Sequence, residues 1–183
     1  IFQNKDLGAV TKTVTIENEE GELLERVIPK SEFRKSMAIF PFENISTDST
    51  LNWLHYEFSN MLQYDLSQDM FLWIESGYSF YDEMKETGFS KGIGLPLALK
   101  IKIADQHHLK YIVSGSFLKQ NDQYIIKTLL HETKTCKLIV EHTFKGTDIF
   151  KLVDEMSLQL KYDLEIPKSH IKETRDLPVS EIL

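Results

Sequence analysis

Apolar and polar positions alternate with two different periods along this chain, and the changes of period divide it. Thr11-Lys-Thr-Val-Thr-Ile16 alternates in the manner of a strand, and Glu17-Asn-Glu-Glu-Gly21 follows as a turn. Leu23 to Ile28 reads as a returning strand that Pro29 ends. The pattern predicts a β-hairpin arm. An isolated hairpin is marginal in water, so this one needs the main domain or a partner to lean on. Pro29 to Lys35 reads as a linker. Met37-Ala-Ile-Phe-Pro-Phe42 is apolar almost without a break, as in a strand covered on both faces. Pro41 has no N–H to give a sheet, so this strand is expected to end or bulge there.

Leu51, Leu54, Phe58, Met61 and Leu62 fall at helical spacing and predict a helix over 50–66, capped by Asp48 or Ser49. Phe71 to Ile74 is a short buried strand. Ser79 is placed to cap a helix that runs to Glu86 and ends at Gly88. Pro96 suits the first turn of a helix reaching His107. Tyr111–Lys119, Tyr124–His131 and Leu138–Phe144 form an antiparallel meander, turning at Asn121-Asp122 and over Thr133–Lys137. Ile149, Leu152, Val153, Met156, Leu160 and Leu164 make one apolar stripe on a last helix, which Pro167 stops. Residues 168–183 read as a charged tail connecting to something further on.

The fold class is α/β (α+β): one mixed sheet of about five strands with helices packed on it, plus the N-terminal hairpin arm. Helices between the early strands imply parallel pairing there, and the meander is antiparallel. Residues 1–35 are arm and linker, 36–166 the main domain, and 167–183 a charged linker.

Composition narrows the function more than it defines it. With 183 residues, 42% of them apolar, the chain can bury a core and is not disordered along most of its length. The formal charge of −7 shows no basic surplus, which argues against a nucleic-acid partner. The single cysteine, Cys136, excludes an internal disulfide and a cysteine-based zinc cluster. No apolar run approaches the roughly 20 residues that span a bilayer.

Candidate chemistry is thin. Gly92-Ile-Gly94-Leu-Pro-Leu97 partly resembles a phosphate loop opening a helix, but Leu97 stands where a third glycine belongs and no Lys-Ser/Thr pair follows. A flexible helix entry accounts for the same residues. His107 and His108 are adjacent, and neighbouring helical positions do not share a face, so they cannot easily hold one metal. His131 should face Leu138 rather than His142, which disfavours zinc between those strands. Ser114-Gly-Ser116 lies inside a strand and lacks the strand-to-helix turn of a nucleophile elbow. Gly115 reads instead as a point of close backbone approach. Cys136 sits in a turn near Lys134 and Lys137, without a His-Asp partner set. Glu17, Glu19, Glu20 and Glu22 surround Gly21 without the ligand spacing of a calcium loop and read as a solvated tip. Trp53, His55 and Tyr56 line a groove or pack on the sheet. No acid, base and positioned nucleophile come together, so the reading is non-catalytic, with no cofactor and no metal.

Several segments, in order, resemble one family. Ser36-Met-Ala-Ile-Phe-Pro-Phe-Glu-Asn44 resembles the opening strand of TolB amino-terminal-like domains. Ile103 to Phe117, with its Tyr-Ile-Val-Ser-Gly-Ser-Phe ending, is similar to the family's strand ending in Gly-Ser-Val. His131 to Leu138 resembles its Thr-Gly hairpin, and Thr147 to Met156 its Asp-Ile-Phe helix. Two departures stand out: His108 replaces the glycine before the third strand, and Cys136 replaces the hairpin glycine. The resemblance spans 36–166 and implies a module of the TolB, FlgO and CsgG type, without catalytic residues. Such modules are often embedded in larger bacterial chains, with membrane segments, a cyclase, a kinase or a winged-helix reader upstream and, often, tetratricopeptide repeats downstream.

The resulting expectation is a protein-interaction or sensory domain of a membrane-tethered regulatory protein. It would lie at the bacterial cell envelope on the periplasmic side of the inner membrane, with the cytoplasm as the alternative. Its partner would be a protein, a neighbouring domain of the same chain or a second copy in a homodimer. Phe2, Val14, Ile16 and Leu24 are the expected arm contacts. The alternatives are an anion or nucleotide sensor using Gly92 and Gly94, and an enzyme using Cys136.

Overall fold

The computed structural model describes residues 10–18, 20–89, 92–174 and 176–183. Phe2 lies outside these residues. Strands β1 (Thr11–Glu17) and β2 (Leu23–Pro29) form a two-stranded antiparallel sheet of their own. The main sheet contains β3 (Lys35–Ile39), β4 (Glu43–Asn44), β5 (Leu72–Ser76), β6 (Tyr111–Gln120), β7 (Gln123–Glu132) and β8 (Leu138–Gly146). Its order is β5-β3-β6-β7-β8, with β4 also paired to β6. β3 runs parallel to both β5 and β6, and the β6–β7–β8 meander is antiparallel.

Pro41 interrupts the first core strand as its missing N–H requires. β3 follows β6 from Met37 to Ile39, the chain steps out through Phe40, Pro41 and Phe42, and β4 rejoins β6 at Glu43. The Phe42 carbonyl accepts from the His55 ring, and Ile45 N donates to the Phe117 carbonyl at 2.9 Å. Gly115 on β6 faces Phe42. A Cβ there would lie 2.3 Å from both Phe42 Cε1 and the Lys127 carbonyl oxygen, so the position admits only glycine.

The helices are α1 (Leu54–Leu66), α2 (Tyr81–Glu86), α3 (Leu97–Gln106), α4 (Ile149–Asp163), α5 (Lys168–Glu173) and α6 (Val179–Ile182). α1 starts later than its apolar spacing predicts. Asp48 accepts from Thr50 N, but it caps a 3₁₀ turn over Ser49–Leu51 that precedes the helix. Ser79 does not cap α2, because it lies within another 3₁₀ turn, Gly77–Phe80. Asp148 caps α4 by accepting from Phe150 N and Lys151 N.

Two cores lie on opposite faces of the sheet. On one, α1 and α4 pack Leu54, Phe58, Leu62, Val153 and Met156 against Ile39, Val113, Phe117 and Leu130. On the other, α2 and α3 pack Met84, Ile103 and Ala104 against Ala38, Phe40 and Ile112.

The C-terminal segment corrects the expectation of a charged connection. α5 and α6 fold back onto the first core, burying Ile166, His170 and Val179. Polar pairs hold them. Gln68 Nε2 donates to the Leu177 carbonyl at 3.0 Å, and Leu177 N donates to Gln68 Oε1 at 2.9 Å. Val179 N donates to Asp154 at 3.0 Å.

Candidate interaction surface

Asn18 organises the tip of the hairpin arm. Its side-chain oxygen accepts from Glu20 N at 3.0 Å and Glu22 N at 2.8 Å, and Gly21 takes the left-handed φ of 81° that closes the turn. The base of the arm is tied to the core. Val10 is buried in the core, and its carbonyl accepts from Lys30 N at 2.9 Å.

The register sets which side chains share a face. Ile16 pairs with Leu24 and Val14 with Arg26, so Val14, Ile16 and Leu24 lie together on one side. Val14 and Ile16 are half-buried, and Leu24 is 42% exposed. The opposite side carries Leu23, 73% exposed, and Val27, 57% exposed. Sequence reasoning did not single these two out, although their place in the alternation was available. The arm therefore presents apolar side chains on both faces.

The main sheet offers two further surfaces. β5 and β8 are its outer strands, and β8 leaves Leu138 and Ile139 exposed at one end. The second core draws no member from β7 or β8 among the described residues. Ile125, Lys127, Leu129, Ile139, Glu141 and Thr143 therefore lie on a face that α2 and α3 leave bare. Lys127 and Glu141 pair across it at 2.8 Å.

Gly92 and Gly94 both take left-handed conformations, with φ of 61° and 70°. A Cβ on Gly92 would meet Met84 Sδ at 2.7 Å and Pro41 Cγ at 3.0 Å, so this glycine lets the loop close over Pro41. Pro96 occupies the N-cap of α3, and no side chain caps that helix. Leu95, which follows, belongs to the second core.

The aromatic group at the start of α1 divides. His55 is buried, with its ring edge against Phe117. Tyr56 stacks on Tyr78. Trp53 is exposed and lines an apolar groove of about 540 Å³ with Met61, Tyr124, Ile149, Phe150 and Leu183.

His107 lies between Glu75 and Glu83, at 3.0 and 2.9 Å. His131 pairs with Leu138 and Thr128 with His142, the register expected from the sequence. Cys136 is exposed, and its thiol donates weakly to the Thr133 carbonyl at 3.8 Å. Among the described residues no three His, Cys, Asp or Glu side chains group to hold a metal. Among them also, no helix is long and apolar enough to cross a membrane.

Together these features define a mixed α/β sheet domain carrying a separate apolar hairpin arm. No family model and no curated protein sequence matches the chain. Solved structures align with it. The C-terminal domain of LpoB from Salmonella enterica aligns with a TM-score of 0.50 and 15% identity, over 62% of this chain and 83% of that one. TolB from Acinetobacter baumannii aligns at 0.49 and 13%, over 86% of this chain and 32% of that one. Lipoprotein GNA1162 from Neisseria meningitidis aligns at 0.46 and 12%, over 70% and 99%. At 15% identity the likeness to the LpoB domain is one of fold alone.

Proposed function

We propose that this chain is a non-catalytic protein-interaction module of a larger bacterial cell-envelope protein, of the TolB amino-terminal-like kind, and that the hairpin arm is its principal contact. The arm carries the reading. Two strands alone are marginal in water, yet these extend beyond the core with Leu23, Leu24 and Val27 exposed. Apolar side chains on both faces of such a ribbon are buried when a partner adds to it, by strand pairing or by packing against its face.

The envelope assignment is supported by the motif resemblance over 36–166 and by a fold shared with the LpoB C-terminal domain. The periplasmic side of the inner membrane is the proposed location, and a protein or a neighbouring domain the proposed partner.

The test replaces Leu23, Leu24 and Val27 together with serine in the full-length protein. Thermal unfolding should stay within about 0.5 kcal/mol of the parent, as for surface positions generally, while chemical cross-links to the partner disappear. Retained cross-links would refute the role of the arm.

A further inference from the structure

β2 and β8 each leave one edge unpaired. Among the described residues β2 pairs only with β1, and β8 only with β7. Every residue from Glu22 to Val27 is exposed, although the segment from Leu23 onward is strand. On β8 the register slips at Ile139, and from Val140 to Lys145 the strand runs regularly. Glu141, Thr143 and Lys145 are exposed along that stretch. An open edge is a template for another strand, and the charges along it decide which strand is admitted.

The chain itself supplies a strand that fits. Set antiparallel to Val140–Lys145, the segment Glu22–Val27 brings Glu22 opposite Lys145 and Arg26 opposite Glu141, two pairs of opposite charge on one face. On the other face Leu23 meets Phe144 and Val27 meets Val140. Phe144 and Val140 already pack on the first core, so the arm would extend their apolar row. No two like charges meet in this register. The position of the arm agrees with its direction. Lys35, just after the arm, lines one cavity with Lys137 and Ile139, so the start of β8 lies at the end of the sheet where the arm joins it. Antiparallel pairing turns the base of the arm toward that end of β8 and the acidic tip toward Lys145.

We propose that two copies of this chain associate by exchanging arms, with β2 of each copy adding antiparallel to β8 of the other. The inference rests on the reading of the arm as the principal contact and names its partner as a second copy. Each copy gives one arm and receives one, so the exchange closes a two-fold dimer and does not grow into a fibre. It covers Leu23 and Val27 in both copies and pairs both open backbone edges. The opposite charges fix the register of the added strand.

The experiment is sedimentation equilibrium of the 183-residue chain, of Glu22→Lys, of Lys145→Glu and of an equal mixture of the two variants. The parent should dimerise. Each variant alone sets like charges at both arm contacts and should dimerise about tenfold more weakly. The mixture should recover the parent affinity, because at each contact of the mixed dimer a lysine again faces a glutamate. A parent that stays monomeric at millimolar concentration overturns the proposal, and that includes an arm folded back on its own β8. A dimer indifferent to both variants, or variants that do not rescue each other, also overturns it. If a variant does not fold, hydrogen exchange of the parent decides. The outward amides of β8 should gain protection as concentration rises, and no gain refutes the exchange. A monomeric chain whose serine variant still loses cross-links to another protein removes only the second copy as partner. Cross-links retained in that serine variant remove the reading of the arm itself.

Discussion

His107 Nε2 lies 2.9 Å from Glu83 Oε1, while its Nδ1 lies 3.0 Å from Glu75 Oε2. Both ring nitrogens must donate to make both contacts, so the arrangement selects the imidazolium. It ties the end of α3 to α2 and β5, and the ring edge also meets Phe80 at 4.9 Å. Burial opposes the charge, but the Glu83 hydrogen bond and the two carboxylate charges outweigh it and raise the His107 pKa above its ordinary 6.5. The hydrogen bond from His107 holds Glu83 below its ordinary 4.5.

The sign of the pH effect follows. The His107 contribution is fully present below about pH 6.5 and is lost as pH rises through the raised folded value. The Glu83 contribution is present above about pH 4.5 and is lost as pH falls through the lowered one. Together they are greatest between these limits. Because both groups are partly exposed and screened, the clamp should contribute about 1 kcal/mol. Urea unfolding across pH 5 to 9 should show this loss on the alkaline side, and His107→Gln should lack it.

Cys136 and His108 both hold left-handed backbones, with φ of 59° and 57°. They are the two positions where the family resemblance has glycine. Side chains with a Cβ are strained in this region. Cys136→Gly and His108→Gly should each stabilise the chain by about 0.5–1 kcal/mol, the relief exceeding the added freedom of the unfolded state. Thermal unfolding of the two variants checks this.

Gly115→Ala should do the opposite. Its methyl would sit 2.3 Å from the Lys127 carbonyl oxygen, which belongs to the neighbouring strand and cannot move without breaking the sheet. The loss should be about 3 kcal/mol. Denaturant unfolding would measure it.

Asp69 links the core to the C-terminal helices. It accepts from Phe71 N at 2.9 Å and from His170 Nε2 at 3.1 Å, and its other oxygen lies 3.8 Å from Lys161. Lys161 is buried and also pairs with Asp176. Asp69→Ala leaves a buried lysine and histidine short of a partner and should cost about 3 kcal/mol. Faster amide exchange over α5 and α6 than over β6 would locate the effect.

Much of the fold was legible because it is periodic. The stripe on α4, the β6–β8 meander and the break at Pro41 each follow from local spacing or from one missing N–H. The hairpin was legible for the same reason, and its alternation put Val14, Ile16 and Leu24 on one face. The exposed pair Leu23 and Val27 belonged to the same pattern but lay on the other side. The folded C-terminal segment was not legible, because a charged stretch reads as solvated until its partners are known. Asp69 and His170 are 101 residues apart in sequence. Lys100 likewise reads as an ordinary surface lysine of an amphipathic helix. Only the tertiary fold reveals that it is buried, with Glu43 4.0 Å away.

The most direct measurement of the central claim is site-specific photo-crosslinking of the full-length protein in its native cells. A photoreactive residue is placed in turn at Ile16, Leu24 and Val27 on the arm, and at Glu86 on α2 as the control. The account predicts discrete cross-linked protein species from the arm positions and none from Glu86. Arm positions that yield no cross-link, or the same products as Glu86, would contradict it.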